Sequence, residues 1–593
     1  MDTIPSLIAA TIRRVVGDES LLIHVAPTAD SRFGDYQTTV AMQLAKIRGV
    51  NPRTLAQEIA ARIDVGDMGP QPEIAGAGFI NFRLHPHWLA GRIKSLAEDE
   101  RLGCPPLPPR TLVVDFSSPN VAKAMHVGHI RSTILGDSLC RIARFLGHRV
   151  IADNHIGDWG TQFGMLLVGW KTILDRDALA KEPIAELERI YKTISARCDP
   201  DKPGYDAAMH AQARQELVKL QAGDEENSQI WREMIRLSQI QFDQIYHRLG
   251  IRFDHMHGES FYNPWLKEVV DDLLNKGVAR VSQEAVCVFS DHTLPEKDDP
   301  FLIQRDGEWV DIPAIVQKAD GAANYTTTDL ATLYYRIREF TPDEIVYVTD
   351  GRQQHHFRQL FAILRRWRPD AAERITLSHV WFGSILGEDN KPFKTRSGET
   401  VKLADLLDEA VERADTLIAE RNPDLAAPER AATARIIGLG AVKYADLLPN
   451  RQGDYVFSWN KMLSFQGNTA PYLQYSYVRI QSIFRKSLDR GQPFDAPTRD
   501  MALVLTDGTE LRLAKQLNQF GEHLPQTLAD YKPNILANYL FELASSFHRF
   551  FETCPVLKSE EPARFSRLTL CHVTARTLRQ GLELLGIGVP ERM

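Results

Sequence analysis

Hydrophobic and polar positions recur with two different periods along this chain, and the periods mark its elements. Over 3–14 and 52–63 apolar residues return every three to four positions, which predicts amphipathic helices. Phe79-Ile-Asn-Phe-Arg83 reads as a short strand, and Thr111-Leu-Val-Val-Asp115 as another, rich in β-branched side chains. After a turn, Ile130, Ile134, Leu135, Leu139, Ile142 and Leu146 follow a 3.6-residue period, so a helix begins there. His148-Arg-Val-Ile-Ala-Asp153 and Ile345-Val-Tyr-Val348 predict further strands, with strand-rich patches at 285–289 and 309–312. From about 170 to 260 the chain is charged and helical, with Leu187, Ile190, Tyr191 and Ile194 at helical spacing. The segment 324–330 opens a helix with Thr and Asp as capping residues, and from about 430 onward the pattern is almost wholly helical.

These patterns divide the chain. Its 593 residues exceed one core, so three or four domains are expected. An α+β module spans 1–105 and ends in Cys104-Pro-Pro-Leu-Pro-Pro-Arg110, a stiff, extended linker. An α/β domain over 106–460 carries the helical insertion (about 170–260) between the halves of a doubly wound sheet. Residues 461–593 form an all-α region. Composition (44% hydrophobic, 25% charged) is that of a soluble globular protein, and no apolar run is long enough to span a membrane. The amphipathic start lacks the form of a signal peptide. Six scattered cysteines without a Cys-x-x-Cys argue against a disulfide framework or structural zinc and fit a reducing cytoplasm. The net charge of −7 weighs against a small nucleic-acid binder, which would be basic, but leaves room for local basic surfaces on a large enzyme.

The chemistry concentrates in Asp115-Phe-Ser-Ser-Pro-Asn-Val-Ala-Lys-Ala-Met-His-Val-Gly-His129. It joins a strand to a helix, and in an α/β sheet such a turn lies at the carboxyl end, where ligands bind. The helix N-terminus offers unpaired N–H groups and partial positive charge to an anion. His126 and His129 can donate to phosphate oxygens, and Gly128 leaves room for a base or ribose. Lys123 is a mobile point charge able to follow phosphates as they separate. A polar loop is the alternative for His-x-Gly-His alone, and it weakens because strand, lysine and helix occur in the right order.

His126-Val-Gly-His129 resembles the HIGH motif of class I aminoacyl-tRNA synthetases, and the run from Asp115 to Asp137 closely resembles the arginyl-tRNA synthetase family. The resemblance extends over essentially all 593 residues. It implies a multidomain α/β protein: a Rossmann-type catalytic domain with a helical insertion, an α+β N-terminal domain that touches the outer corner of tRNA, and an all-α anticodon-binding bundle. The implied reaction activates L-arginine with ATP and transfers it to the terminal ribose of tRNA(Arg). Mg²⁺ arrives with ATP; no zinc and no protein metal site are expected, and a cytoplasmic monomer without membrane contact is.

The resemblance also implies roles for particular residues. Lys123, His126, Gly128 and His129 hold ATP, with Lys123, His126 and His129 as the catalytic group. Residues 379–386 resemble the strand that precedes the loop where most class I enzymes carry KMSKS, and Phe393 and Lys394 belong to that loop. Here that loop reads Pro392-Phe-Lys-Thr-Arg396, with Thr395 in place of the usual second lysine. Lys123 is expected to take over its charge, with Lys394 or Arg396 as the alternative. Asp115, Asn120, His155, Tyr325, Asp329 and Gln353 match arginine-binding positions, a carboxylate being the planar acceptor that a guanidinium requires. Asp115 could instead be a strand-end turn acid and Asp329 a helix-cap acid. Phe79, Asn81, Tyr472 and Met593 are the implied tRNA contacts; aromatics there could stack on splayed bases. The adjacent His355 and His356 read as polar or packing residues rather than metal ligands, since neighbours along a helix do not face one site. The competing readings are another class I synthetase, a small HxGH nucleotidyltransferase with added domains, and an inactive tRNA-binding regulator.

Overall fold

The computed structural model describes residues 1–393, 401–495 and 502–593. The chain forms two compact units: Met1–Leu107, Ala414–Leu448 and Asn460–Met593 in one, Pro108–Arg413 and Pro449–Trp459 in the other.

The second unit is built on a parallel sheet. In chain order its elements are β1 (Thr111–Asp115), α1 (Val127–Phe145), β2 (Arg149–Asp153), α2 (Tyr325–Phe340), β3 (Glu344–Tyr347), α3 (Gln354–Trp367) and β4 (Thr376–His379). The strands lie in the order β4-β3-β1-β2. Their middles are apolar and buried on both faces, as at Val113, Val114, Ile345 and Val346, because helices cover both sides of a parallel sheet. One connection runs outward from β1 to β2 through α1 and the other from β3 to β4 through α3. The winding therefore reverses between β1 and β3, and a ligand crevice opens at the carboxyl ends there. Register brings the last residues of the strands into one row: Tyr347 pairs with both His379 and Asp115, and Asp115 with Asp153. This is the Rossmann-type fold the sequence predicts. Between its halves stand the helices Gln162–Thr172, Pro183–Cys198, Ala207–Gln221 and Glu225–Leu249, in the segment expected to be helical.

Two local outcomes differ from the sequence reading. The cap of α2 is Asn324 itself, whose side chain accepts from the N–H groups of Thr326 and Thr327, with Thr327 completing a capping box. Residues 379–386 do not continue as one strand: β4 stops at His379, and Ile385–Leu386 pairs separately with Tyr455–Val456.

The first unit joins the two ends of the chain. Its N-terminal part is a four-stranded antiparallel sheet, Val25–Pro27, Tyr36–Thr38, Phe79–Phe82 and Glu73–Ala75 in spatial order, flanked by helices. This part packs on the C-terminal helices through buried polar contacts. Tyr36 donates its hydroxyl to Glu522 at 2.9 Å, Arg92 Nε–H donates to Asn518 at 2.9 Å, and Lys515 pairs with Asp35. Arg576 donates to the carbonyls of Ala97 and Asp99 at the end of the helix Pro86–Glu98, where a cation meets unpaired carbonyls.

Candidate functional site

After Asp115 the chain leaves β1 in a tight, strained turn: Ser117, Ser118 and Ala122 all have positive φ. The turn is zipped to the loop after β2. Val121 N–H donates to Gly157 O and Gly157 N–H to Pro119 O, and Ser118 N–H donates to the side chain of Asn154. A Cβ on Gly157 would stand 2.3 Å from Asn120 Oδ1, so glycine is what allows the two loops to close. Gly157 thus meets Asn120 from the facing turn, whereas a Cβ on Gly160 would meet the side chain of Gln162, and Trp159 packs edge-on against Trp231.

His126 is the N-cap of α1 and His129 its N3 residue, and together they make a capping box. His126 Nδ1 accepts from Gly128 N–H at 3.1 Å, and His129 Nδ1 accepts from His126 N–H at 3.1 Å. In each neutral ring the proton therefore sits on Nε2, leaving one N–H donor per ring beyond the cap. Burial lowers the pKa of His126; burial and then the His126 ring lower that of His129, to about 3. Both are neutral donors at pH 7. Gly128 has a second reason beyond room for a ligand: a Cβ there would lie 2.8 Å from the His126 ring that folds over it. Lys123 is exposed and stands over the ring of Tyr191, 5.0 Å from its centroid. Glu188, on the same insertion helix, accepts from Ala124 N–H.

The ends of the loop expected to complete the phosphate site are both located. Val127 N–H donates to Val401 O and Leu403 N–H to Met125 O, which ties the chain after the loop to the histidine turn and places Lys402 opposite His126. At the other end Phe393 N–H donates to Ile385 O and its ring stacks on Phe457 at 4.6 Å. Lys394, Thr395 and Arg396 lie outside the described residues.

The residues implied for arginine binding divide into two sets. Asp115 is buried; its Oδ2 accepts from Arg336 Nη2 at 2.7 Å and its Oδ1 from Ser118 Oγ at 3.0 Å. Asp153 accepts from Arg336 Nε at 3.0 Å. The second set is open. Tyr325 is 64% exposed at the start of α2. Asp329, one turn on, meets His356 Nε2 at 2.6 Å, and the His356 and Tyr325 rings are 4.9 Å apart. His356 thus faces the site while His355 does not share these contacts. Gln353 is exposed in the turn between β3 and α3. His155 packs beside Tyr262, 5.4 Å between ring centroids, and its buried Nδ1 has no hydrogen-bond partner among the described residues.

One acid of this site escapes the sequence reading. Glu259 has its carboxyl pushed up to about 8, first by burial and then by the charges of Asp329 and Asp158. Glu259 is thus poorly solvated and feels two further carboxyl groups, which raises its pKa and suits a cation. The signal in the sequence is a single acid in Gly258-Glu-Ser-Phe261, which nothing local distinguishes from a turn residue.

The implied tRNA contacts all fall in the first unit. Phe79 is half-buried on the antiparallel sheet, and Asn81 is buried beside it with an unpartnered Oδ1. Tyr472 packs between the rings of Phe541 and His548, 5.6 and 5.2 Å away, so most of its surface serves the bundle core. Met593 lines a cavity of about 720 Å³ with Tyr475, Arg479, Arg485, Lys486 and Lys558. Arg479 stacks on Tyr475 and Phe551. Cations interleaved with aromatics suit phosphates and unstacked bases. Among the described residues no group of three or more His, Cys, Asp or Glu is arranged to hold a metal ion, and no helix is long and apolar enough to cross a membrane.

Comparison with known proteins covers both units. A family model described as tRNA synthetases class I (R), catalytic domain, matches residues 94–459. Models described as the arginyl tRNA synthetase N terminal domain and the DALR anticodon binding domain match residues 2–84 and 473–593. The arginine–tRNA ligase of Synechococcus elongatus is 47% identical over 584 residues, covering 96% of this chain and 95% of that protein. The arginine–tRNA ligase of Chromobacterium violaceum is 44% identical over 574 residues, 96% of each. Among solved structures, the arginyl-tRNA synthetase of Plasmodium falciparum has 29% identity and a TM-score of 0.78, with 100% of both chains covered.

Proposed function

The chain belongs to the arginyl-tRNA synthetase family, and from that premise we propose how it joins L-arginine to tRNA(Arg) with ATP. An α-carboxylate oxygen of arginine attacks the α-phosphorus, the bond to pyrophosphate breaks, and arginyl-adenylate remains. The 2′-hydroxyl of the terminal ribose then attacks the arginyl carbonyl, and AMP leaves. Neither step needs a protein nucleophile; positioning and charge stabilisation supply the catalysis. The Nε2–H groups of His126 and His129 donate to phosphate oxygens, and Lys123 neutralises the departing pyrophosphate. Mg²⁺ enters with ATP, bound mainly through phosphates and water.

The observation that carries the choice of amino acid is the Asp329–Glu259 pair. Asp329 stands one turn after the exposed ring of Tyr325, and the half-buried Glu259 feels its charge, so the two carboxyl groups offer a planar cation the acceptors that lysine would use less fully. Asn120 and His155, on the zipped turn and loop, hold the α-amino and carboxylate end; Gln353 closes the pocket from the β3 side. Asp115 contributes through its hold on Arg336 rather than as an open acceptor. The basic cavity at Met593 takes the anticodon loop, and the sheet with Phe79 and Asn81 takes the outer corner of tRNA. Six buried free thiols suit a reducing cytoplasm, and the enzyme acts as a monomer, which light scattering at micromolar concentration tests.

Pyrophosphate exchange with each amino acid, with and without tRNA, tests the function. Exchange with arginine alone among the twenty supports it; exchange with another amino acid, or with none, overturns it.

A further inference from the structure

We propose that Arg336 is a positioning residue of the arginine pocket: its buried guanidinium fastens α2 to the carboxyl ends of β1 and β2 and so sets where Asp329 and Tyr325 stand. The inference rests on the reading of Asp329 as the acceptor of the substrate guanidinium.

The placement follows from helix and sheet geometry. Residues 325, 329 and 336 are four and seven positions apart, so they lie along one face of α2. The first two line the pocket, and Arg336, two turns further on, descends to the sheet. There Asp115 and Asp153 are register partners on neighbouring strands, which run roughly 4.8 Å apart. One planar fork spans that separation, and the contacts are 2.7 Å to Asp115 and 3.0 Å to Asp153. The guanidinium also lies over the ring of Tyr347, 5.4 Å from its centroid, at the end of β3. A single side chain thus joins three adjacent strand ends to the helix that carries the specificity residues.

The attachment is concentrated. Arg336 is fully buried and Asp153 equally so. Around them Arg336 Nη1, Asp153 Oδ1, Tyr347 Oη and Tyr262 Oη have no hydrogen-bond partner within the described residues. The two guanidinium–carboxylate contacts therefore carry the polar part of the joint. They also occupy both strand-end acids, and Asp158 is taken up by Ser260, so Asp329 and Glu259 remain for the substrate. Lysine keeps the charge of Arg336 but not the fork that reaches two carboxylates.

The test uses the full chain with tRNA present. It measures arginine KM, ATP KM and kcat in pyrophosphate exchange, with thermal melts, for Arg336→Lys, Asp153→Asn, Asp329→Asn and the double variant Arg336→Lys/Asp329→Asn. Displacing a substrate-positioning group by about 1 Å can cost on the order of 10²-fold. Arg336→Lys and Asp153→Asn are expected to raise arginine KM by about tenfold or more while ATP KM stays within about twofold. The double variant should fall well short of the product of the two single effects in arginine KM, because Arg336 acts in part through Asp329. Equal rises in both KM values, or multiplication of the two single effects, overturns the proposal. If Arg336→Lys does not fold, Asp153→Asn, which removes one of the two anchors, decides by the same criteria. If Asp329→Asn leaves arginine KM unchanged, the guanidinium reading falls and this inference with it. If Asp329→Asn raises it while Arg336→Lys and Asp153→Asn do not, only the positioning role falls.

Discussion

The backbone N–H of His126 donates to Nδ1 of His129 across 3.1 Å, so the ring completes the helix cap through one nitrogen and keeps the other for the phosphate contact proposed for it. The two duties use different nitrogens and can be separated. Asparagine places an acceptor at the same bond count as Nδ1 but has nothing at Nε2. His129→Asn should keep thermal stability and lower the rate of arginine activation by about 10²–10³, the usual cost of one donor aimed at developing charge. His129→Ala should add a loss of roughly 1 kcal/mol in unfolding free energy, the worth of a capping contact. Pyrophosphate exchange and denaturant melts on the two variants read the two effects; equal stability of both would remove the cap from the argument.

Asp329 and Glu259 are expected to govern arginine and not ATP. Truncating one partner of a buried charged contact costs about 2–5 kcal/mol, so Asp329→Asn or Glu259→Gln should lower kcat/KM for arginine by on the order of 10²–10³ with little change in ATP KM. A parallel loss in both constants would make either residue a scaffold group.

Arginine binding at pH 7 should release a proton. Burial and the charges of Asp329 and Asp158 push the Glu259 carboxyl up to about 8, so it is neutral at pH 7, and a bound guanidinium favours the ionised form. Affinity is expected to rise from pH 6 to pH 8 and then level. Calorimetry in buffers of different ionisation enthalpy measures the release directly; the Glu259→Gln variant should show none. A pH-independent affinity, with no proton release in the wild type, would sink the prediction.

Glu522 makes the first unit less stable in alkali. Burial pushes its carboxyl up to about 7, against the hydrogen bond from Tyr36 and the charge of Arg92. A folded-state pKa raised above the unfolded value of about 4.5 gives a contribution that is complete below pH 4.5 and lost as pH rises through 7. Its size is on the order of 3 kcal/mol above pH 8. Glu522→Gln keeps an acceptor for Tyr36 without the charge. It should raise the melting temperature at pH 8 and leave it unchanged or lower at pH 5.

Lys123 is expected to supply the charge that Thr395 lacks. Lys123→Ala should slow activation by about 10²–10³, and Thr395→Lys in that background should restore part of the rate. The chain after the loop pairs with the histidine turn, so Lys402 is the competing cation. A Lys123→Ala rate near wild type, with a slow Lys402→Ala, would transfer the role.

Local pattern made most of the frame legible. The strand at 111–115 and the turn with His126 and His129 are set by short-range chemistry: β-branched runs, a 3.6-residue period and a cap that one segment completes by itself. The helical insertion and the C-terminal helices follow from the same periodicity. His356 shows the limit of that reasoning. Its neighbourhood on α3 predicts a polar or packing residue, and only the fold brings Asp329 from α2 to its ring.

By itself, then, the sequence determined which segments become strands and helices, and which residue types gather at the end of β1, because those depend on contacts within a few positions. Tertiary structure alone decided which carboxylates are open. Asp115 and Asp329 look alike as strand-end and helix acids, yet Arg336, 221 residues after Asp115, pairs with the first, while the second meets only the ring of His356 among its hydrogen-bond partners in the described residues. Tertiary structure alone also joined Tyr36 to Glu522, 486 positions apart, in one unit. The physical reason is the same in both cases. Burial and charge pairing are properties of what surrounds a side chain in space, and at these positions the surroundings come from parts of the chain that no local period connects.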